Sequence, residues 1–183
     1  MACGITGINS GTACLGNEGG IVRSYAAKLA DITAVTLTGN AISNFTMATT
    51  GLWKAFVYDR DNTANINQVG SLNNNRFSVE LTTFMKFKGL AQASIDAANT
   101  SKDCCDTVWI HVLGNGLKVV QGIELDASVT AGFVPSKNRS TRIVPTINSD
   151  TSANELKMEY SIAGNQDSFT PSTTLTDTAI LAL

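Results

Sequence analysis

A chain of 183 residues is long enough to bury a hydrophobic core without disulfide or metal staples, and its length fits one domain. Only 15% of the residues are charged and the net charge is −2, with Thr, Ser, Asn and Gly filling the polar positions. That balance argues against a sequence-independent nucleic-acid binder, which needs many cationic contacts, and leaves room for a protein past which DNA slides unheld.

No charged-then-apolar leader opens the chain, and no apolar run approaches the roughly 20 residues of a membrane span. The expectation is a protein made in the cytoplasm, with no membrane partner. Residues 1–20 carry six glycines and little periodicity, and read as an extended N-terminal arm. Residues 21–169 read as a single β-rich domain, and residues 170–183 as a C-terminal tail. Ile21 to Ala30 begins as a strand through Tyr25, beyond which Ala-Ala-Lys-Leu-Ala also has helix propensity. Asp31 to Leu37 favours strand, Thr38-Gly39-Asn40 turns the chain, and Ala41 to Thr46 is a short strand or loop. Leu52 to Asp59 is a strand with Trp53, Ala55 and Val57 on one face and Phe56 and Tyr58 on the other.

Arg60 to Asn75 is polar around a lone Val69 and reads as a long exposed hairpin or loop. In Arg76 to Lys86, Phe77, Val79, Leu81, Thr83 and Met85 alternate with Ser78, Glu80, Thr82 and Lys86, the mark of a strand with one buried face, and Phe84 breaks the polar side, which predicts burial on both faces at the strand's end. The period then changes: Phe87, Leu90, Ala91, Ser94, Ile95 and Ala98 fall on one stripe of a helix over about 87–99. Thr107 to Leu113 returns to strand, Gly114-Asn115-Gly116 is a hairpin signal, and Leu117 to Leu125 is the returning strand. Ala127 to Phe133 alternates and predicts another strand. Thr141 to Ile147 is strand-like, with Pro145 confining it to an edge or ending it. Glu155 to Ile162 alternates most cleanly of all. The last residues pass from a Thr/Ser-rich coil to the apolar Ala179–Leu183, which packs on its own sheet or on a neighbour. The fold class predicted is mainly β with one α-helix.

Chemistry is sparse. His111 is the one histidine and sits inside a predicted strand, where a satisfied core or interface residue is the better reading than a catalytic base. The cysteines Cys3, Cys14, Cys104 and Cys105 make no C-x-x-C pair, so no zinc site is expected. Asp59, Asp61 and Asn62 lack the glycine and terminal glutamate of a calcium loop. Neither a phosphate-binding loop nor a dinucleotide loop is present, so no cofactor is expected. Glu155 and Glu159 share a strand face with Lys157 and read as a solvated face. Glu80, Glu124 and Asp126 are either ordinary solvated carboxylates or the lining of an acidic channel.

A resemblance is carried by several stretches. They are Gly19-Gly20-Ile21, TGLWKAFVYDRD, FSVELTTFMKFKGLAQASIDAAN and TVWIHVLGNGLKVVQGIEL. Together they resemble the virion structural proteins of tailed bacteriophages, in particular the tail proteins of phages with Bacteroidetes hosts. Ile110 to Gly122 follows loosely a family pattern I-V-x-D-x-N-G-x-x-x-x-x-G, with Leu113-Gly114 replacing the polar pair before Asn115-Gly116. The likeness covers about Gly19 to Leu125.

The resemblance implies a tail tube protein, with an architecture shared with the tube protein of type VI secretion. Such a protein is a β-sandwich or small barrel with one flanking helix. Copies form hexameric rings that stack into a hollow tube in the virion tail, contacting other tail proteins and passing DNA without specific binding. On that reading Glu80, Glu124 and Asp126 supply lumen charge. Arg60, Asp61, Asn65, Asn67 and Asn74 belong to a loop reaching the next ring, and residues 1–20 and 170–183 are arms on neighbours. The alternatives are a capsid decoration protein, a head-tail connector or a tail terminator. A different class is a carbohydrate-binding β-sandwich, which needs Trp53 or Trp109 exposed. An enzyme is the least expected class.

Overall fold

A computed structural model describes residues 20–39, 41–57, 64–73, 76–88, 92, 95–96, 106–135, 142–150, 153–162, 170–172 and 175–183. The described chain is mainly β. Its strands are β1 (Ile21–Lys28), β2 (Ile32–Thr38), β3 (Ala41–Met47), β4 (Lys54–Val57), β5 (Ala64–Asn73), β6 (Arg76–Lys88) and β7 (Thr107–Leu113). They continue with β8 (Lys118–Gln121), β9 (Ile123–Leu125), β10 (Phe133–Pro135), β11 (Arg142–Asp150), β12 (Ala153–Ile162) and β13 (Thr170–Ser172). A short helix, α1 (Asp177–Ala182), closes the chain.

Seven strands form one sheet in the order β2-β3-β13-β8-β7-β1-β4, four form a second in the order β11-β12-β6-β5, and β9 and β10 form a two-stranded ribbon. Among the described strands every pairing is antiparallel except β13 with β3. Among the described residues none of the sheets closes into a barrel.

β7 is the hub of the large sheet. Its sequence, TVWIHVL, is rich in β-branched and aromatic residues and is buried from Thr107 to Val112. One face carries Val108, Ile110 and Val112 into the main core. That core includes Tyr25, Ile42, Phe45, Trp53, Val120, Ile123 and Phe133, with Leu175 and Ile180 from the C-terminal segment. The other face carries Thr107, Trp109 and His111. β1 matches this second face with small residues: Ser24 lies opposite His111 and Ala26 opposite Trp109.

The hairpin at residues 114–116 forms as expected, with Gly116 at φ +82° in its turn. The expected strand 117–125 breaks at Gly122, whose φ is +107°. A Cβ there would sit 2.6 Å from the Thr107 carbonyl oxygen, so β8 passes into β9 across a point only glycine fits. Pro145 lies in β11, an edge strand as predicted, and does not end it.

Four expectations are corrected. Of the hairpin or loop expected over 60–75, the loop alternative is overturned: residues 64–73 are a strand paired antiparallel with β6 from Ala64–Met85 to Asn73–Arg76. The helix expected from Phe87 does not begin there, because β6 runs on to Lys88 opposite Glu155. Gln92, Ile95 and Asp96 are helical, with Gln92 Nε2 donating to Asp96 Oδ1 at 2.8 Å across one turn, and the rest of that span lies outside the described residues. Residues 127–132 are a turn rather than a strand. Asp126 accepts from the Ser128 N–H at 2.9 Å, and Gly132 N–H reaches the Val129 carbonyl at 2.9 Å.

Finally, the C-terminal segment does not act as an arm. β13 sits inside the large sheet between β3 and β8. Thr176 caps α1 by accepting from the Ala179 N–H, and Ile180 is fully buried in the chain's own core. Of the expected N-terminal arm, residues 1–20, all but Gly20 lie outside the described residues.

Candidate functional site

The most chemically distinctive cluster lies on the polar face of β7. Strand pairing brings together residues far apart in sequence. His111 on β7 is opposite Ser24 on β1 and Val119 on β8, and Gln121 lies two pairs further along on the same face, opposite Trp109. Thr83 comes from β6, in the four-stranded sheet. Ser24, Thr83, His111 and Gln121 are all fully buried.

The hydrogen bonds fix the proton positions. Gln121 Oε1 is an acceptor, and it lies 2.9 Å from His111 Nε2 and 2.9 Å from Thr83 Oγ1. Nε2 therefore carries the imidazole proton. Nδ1 is left to accept from the Ser24 hydroxyl, 2.6 Å away. Trp109 stacks on His111 with ring centroids 5.9 Å apart and planes 11° from parallel. The Trp109 Nε1–H donates to Thr107 Oγ1 at 2.9 Å, and Phe56 packs against the indole at 4.9 Å between centroids. Gln121 Nε2 is buried without a hydrogen-bond partner.

Desolvation dominates the electrostatics. Burial pulls the His111 pKa from 6.5 down to about 4, against a smaller upward pull from the Gln121 hydrogen bond. The imidazole is neutral at pH 7. A serine, a histidine and an amide in line suggest a nucleophile, a base and an orienting group. Here the arrangement cannot meet a substrate, because all three side chains are sealed from solvent between the sheets. Thr83 to Gln121 is a side-chain hydrogen bond that crosses from the four-stranded to the seven-stranded sheet. The cluster is a joint between sheets.

The carboxylates singled out in the sequence are not gathered on one sheet. Glu80 is on β6, opposite Val69. Glu124 is half-buried on β9, opposite Val134. Asp126 caps the turn after β9, accepting from both the hydroxyl and the backbone N–H of Ser128, and these bonds lower its pKa. Asn65 and Asn67, expected in a loop, lie in β5 opposite Phe84 and Thr82. Arg60, Asp61 and Asn74 lie outside the described residues, as do the four cysteines. Among the described residues no group of His, Cys, Asp and Glu is placed to hold a metal ion.

Trp53 and Trp109 are both buried, so neither offers a sugar-stacking platform. No described helix is long and apolar enough to cross a membrane. Searches of protein-family models, curated proteins and solved structures found no match to the chain.

Sequence reasoning found His111 and its buried character but missed Ser24, Thr83 and Gln121. Their common signal is faint: each is a polar residue at an inward position of a strand. The partner of each is set by strand register, not by local spacing.

Proposed function

We propose that the protein is a self-assembling structural subunit, one copy of a bacteriophage tail tube built from stacked hexameric rings. One observation carries this reading beyond the sequence resemblance. The four-stranded sheet is made of long strands, and its outer members β5 and β11 each have one neighbour among the described residues. An open edge of ten residues is a template for another chain. Joining β5 of one copy to β11 of the next extends the sheet from subunit to subunit. A closed ring of such joints leaves no free edge.

Thr83 points to the seven-stranded sheet, and the face of β6 away from it would line the lumen of such a ring. On this reading Glu80 of β6 is one of the lumen charges. Glu124 and Asp126 belong to the ribbon and its turn and take no part in this lining. The buried Ser24–His111–Gln121 cluster suits a structural part, since it stiffens the subunit and presents nothing to a substrate.

Electron microscopy of the purified protein tests the reading, with rings or tubes of constant diameter expected. Proline substitutions sharpen it. Asn67 and Gln68 are neighbours in β5, so one N–H points to β6 and the other to the open edge. Proline at the outward position should abolish assembly while leaving a folded monomer, and proline at the inward one should damage the fold itself. A wild-type protein that stays monomeric at millimolar concentration would sink the proposal.

A further inference from the structure

We propose that the outer edge of β2 is a second strand-pairing surface, fitted to the β2 edge of another copy of this chain and held shut by the turn at residues 126–132. This goes beyond the assembly reading, which uses the edges of the four-stranded sheet, and it stands or falls whether or not rings form.

The sequence of β2 is the first observation. Among the described residues β2 ends the seven-stranded sheet, with β3 on its inner side. It reads ITAVTLT, with β-branched residues at 32, 33, 35, 36 and 38 and no charge, proline or glycine. Such a strand pairs readily, and an edge made of one is a template for another chain. Edge strands are ordinarily protected by a charge or a proline of their own. β4, at the other end of the sheet, carries the exposed Lys54. β2 has neither device. Two register shifts against β3 add twist, which lessens the hazard without covering an N–H or a carbonyl.

The cover comes instead from another segment's backbone. Val35 turns its polar groups away from β3. Its N–H donates to the Ala131 carbonyl at 2.9 Å, and its carbonyl lies beside Gly132, where an added Cβ would stand 3.1 Å from the oxygen. The Ala131–Gly132 peptide thus takes the place of a neighbouring strand at this one point. The turn is shaped for the approach. Gly132 has φ +76°, its N–H closes on the Val129 carbonyl, and its own carbonyl accepts from the Asp126 N–H at 3.1 Å. Asp126 fixes the start of the turn by accepting from the hydroxyl and the N–H of Ser128. Behind the turn, Ile123 and Phe133 anchor the β9–β10 ribbon in the main core, whereas residues 127–130 are exposed. Lifting the tip breaks the Val35 bond and leaves the anchors seated, which is a local opening rather than unfolding.

The fit to a second copy follows from antiparallel geometry. Two β2 strands related by a two-fold axis at Val35 place Val35 opposite Val35, where each N–H meets the other's carbonyl. The groups that the turn now meets are then met by the same groups of the other chain. Thr36 is exposed. In such a pair the two Thr36 side chains stand diagonally across the joint, about 7–8 Å apart.

Native-state hydrogen exchange of the wild-type protein reads the opening directly. The Val35 amide should exchange together with that of Gly132, and well before that of Ile110, which is fully buried between β1 and β8. A Val35 amide as slow as Ile110 would mean that the turn never lifts alone and would overturn the proposal. Gly132→Val should hold the edge open, through its strained φ and the contact of its Cβ with the Val35 carbonyl. If that variant does not fold, Asp126→Ala serves in its place, since it removes the acceptor of both Ser128 bonds and adds no atom. Val35 should lose its protection in the opened variant while Ile110 keeps it. Sedimentation velocity should then show a concentration-dependent association that the wild-type protein lacks. Adding Thr36→Lys should weaken this association about fivefold at low ionic strength by setting like charges across the joint, and about 1 M salt should restore it. In the otherwise wild-type chain Thr36→Lys should leave assembly unchanged. Retained protection of Val35 in both variants, no new association on opening, an association indifferent to Thr36→Lys, or a wild-type assembly lost on Thr36→Lys would each overturn the guarded edge. A wild-type protein that forms no rings counts against the assembly reading alone.

Discussion

The two faces of the seven-stranded sheet are buried by different physics. On one, Tyr25, Val108, Ile110, Val112 and Val120 meet Phe45, Trp53 and Ile180 in an apolar core, where contacts are non-directional and side chains of similar volume can substitute. On the other, Ser24, His111 and Gln121 meet Thr83 through hydrogen bonds whose donors and acceptors must match. The apolar face rewards any arrangement that excludes water. The polar face rewards one registration of the four-stranded sheet, because a shift of one residue along β6 replaces Thr83 with Thr82 or Phe84 and turns the strand over. The difference teaches that the apolar core supplies cohesion and the polar joint supplies position.

The largest expected effect tests the apolar side. Phe45 is fully buried and meets Trp53 edge-on, with ring centroids 5.1 Å apart. Phe45→Ala should cost about 3–5 kcal/mol of unfolding free energy in urea denaturation, through lost transfer energy and the cavity left behind. Ile110→Val, which removes one methylene, should cost only about 0.5–1.5 kcal/mol. Costs on this face should follow volume. Equal losses for the two variants would break the comparison.

The polar face should not follow volume. Ser24→Ala removes a single oxygen yet leaves His111 Nδ1 buried without its donor, and should cost about 1–3 kcal/mol. Thr83→Val is nearly isosteric. It leaves Gln121 Oε1 still bonded to His111 and should cost about 1 kcal/mol. In a double-mutant cycle Thr83→Val with Gln121→Leu should cost less than the sum of the two single changes, since both remove one bond. Additive losses would mean that the bond across the sheets does not hold them together.

The apolar face was also the more legible one in the sequence. β-Branched and aromatic content located β7, alternation located β12, the Gly114–Gly116 turn located the hairpin between β7 and β8, and Pro145 located an edge. Such signals are local. β5 was missed because ANINQVGSLN has little intrinsic strand preference; its strand is imposed by unbroken pairing with β6. Ala127–Phe133 misled in the opposite sense, since its alternation is real but Asp126 and Gly132 close a turn on it. Phe87 fits both a helical stripe and the period-two series of Thr83 and Met85, and pairing with Leu156 decides for strand. The capping pair Thr176-Asp177 was a readable helix start in a segment that composition presented as coil. The joint itself was half legible. His111 announced a buried polar group, but Ser24 is 87 residues away and Thr83 comes from the other sheet, so nothing nearer than strand register could name its partners.

The smallest effect lies at the rim of the apolar face and marks where both kinds of burial end. Arg23 on β1 donates from Nη1 to Asp177 Oδ2 at 2.7 Å, tying the first turn of α1 to the sheet. Asp177 also sits where a carboxylate favours the positive end of a helix. Yet both side chains are more than a third exposed, at 40% and 37%, so water and salt screen the pair. Asp177→Asn should therefore cost at most about 1 kcal/mol at low ionic strength, and less in high salt. Holding α1 in place falls to Ile180 and Leu175 rather than to the ion pair. Ile180→Ala should accordingly release the helix at a cost of about 2–5 kcal/mol, seen as faster amide exchange across residues 177–182. If Asp177→Asn freed the helix as readily as Ile180→Ala, the attachment of this segment would be electrostatic, and the division between a cohesive apolar face and a positioning polar one would fail at its rim.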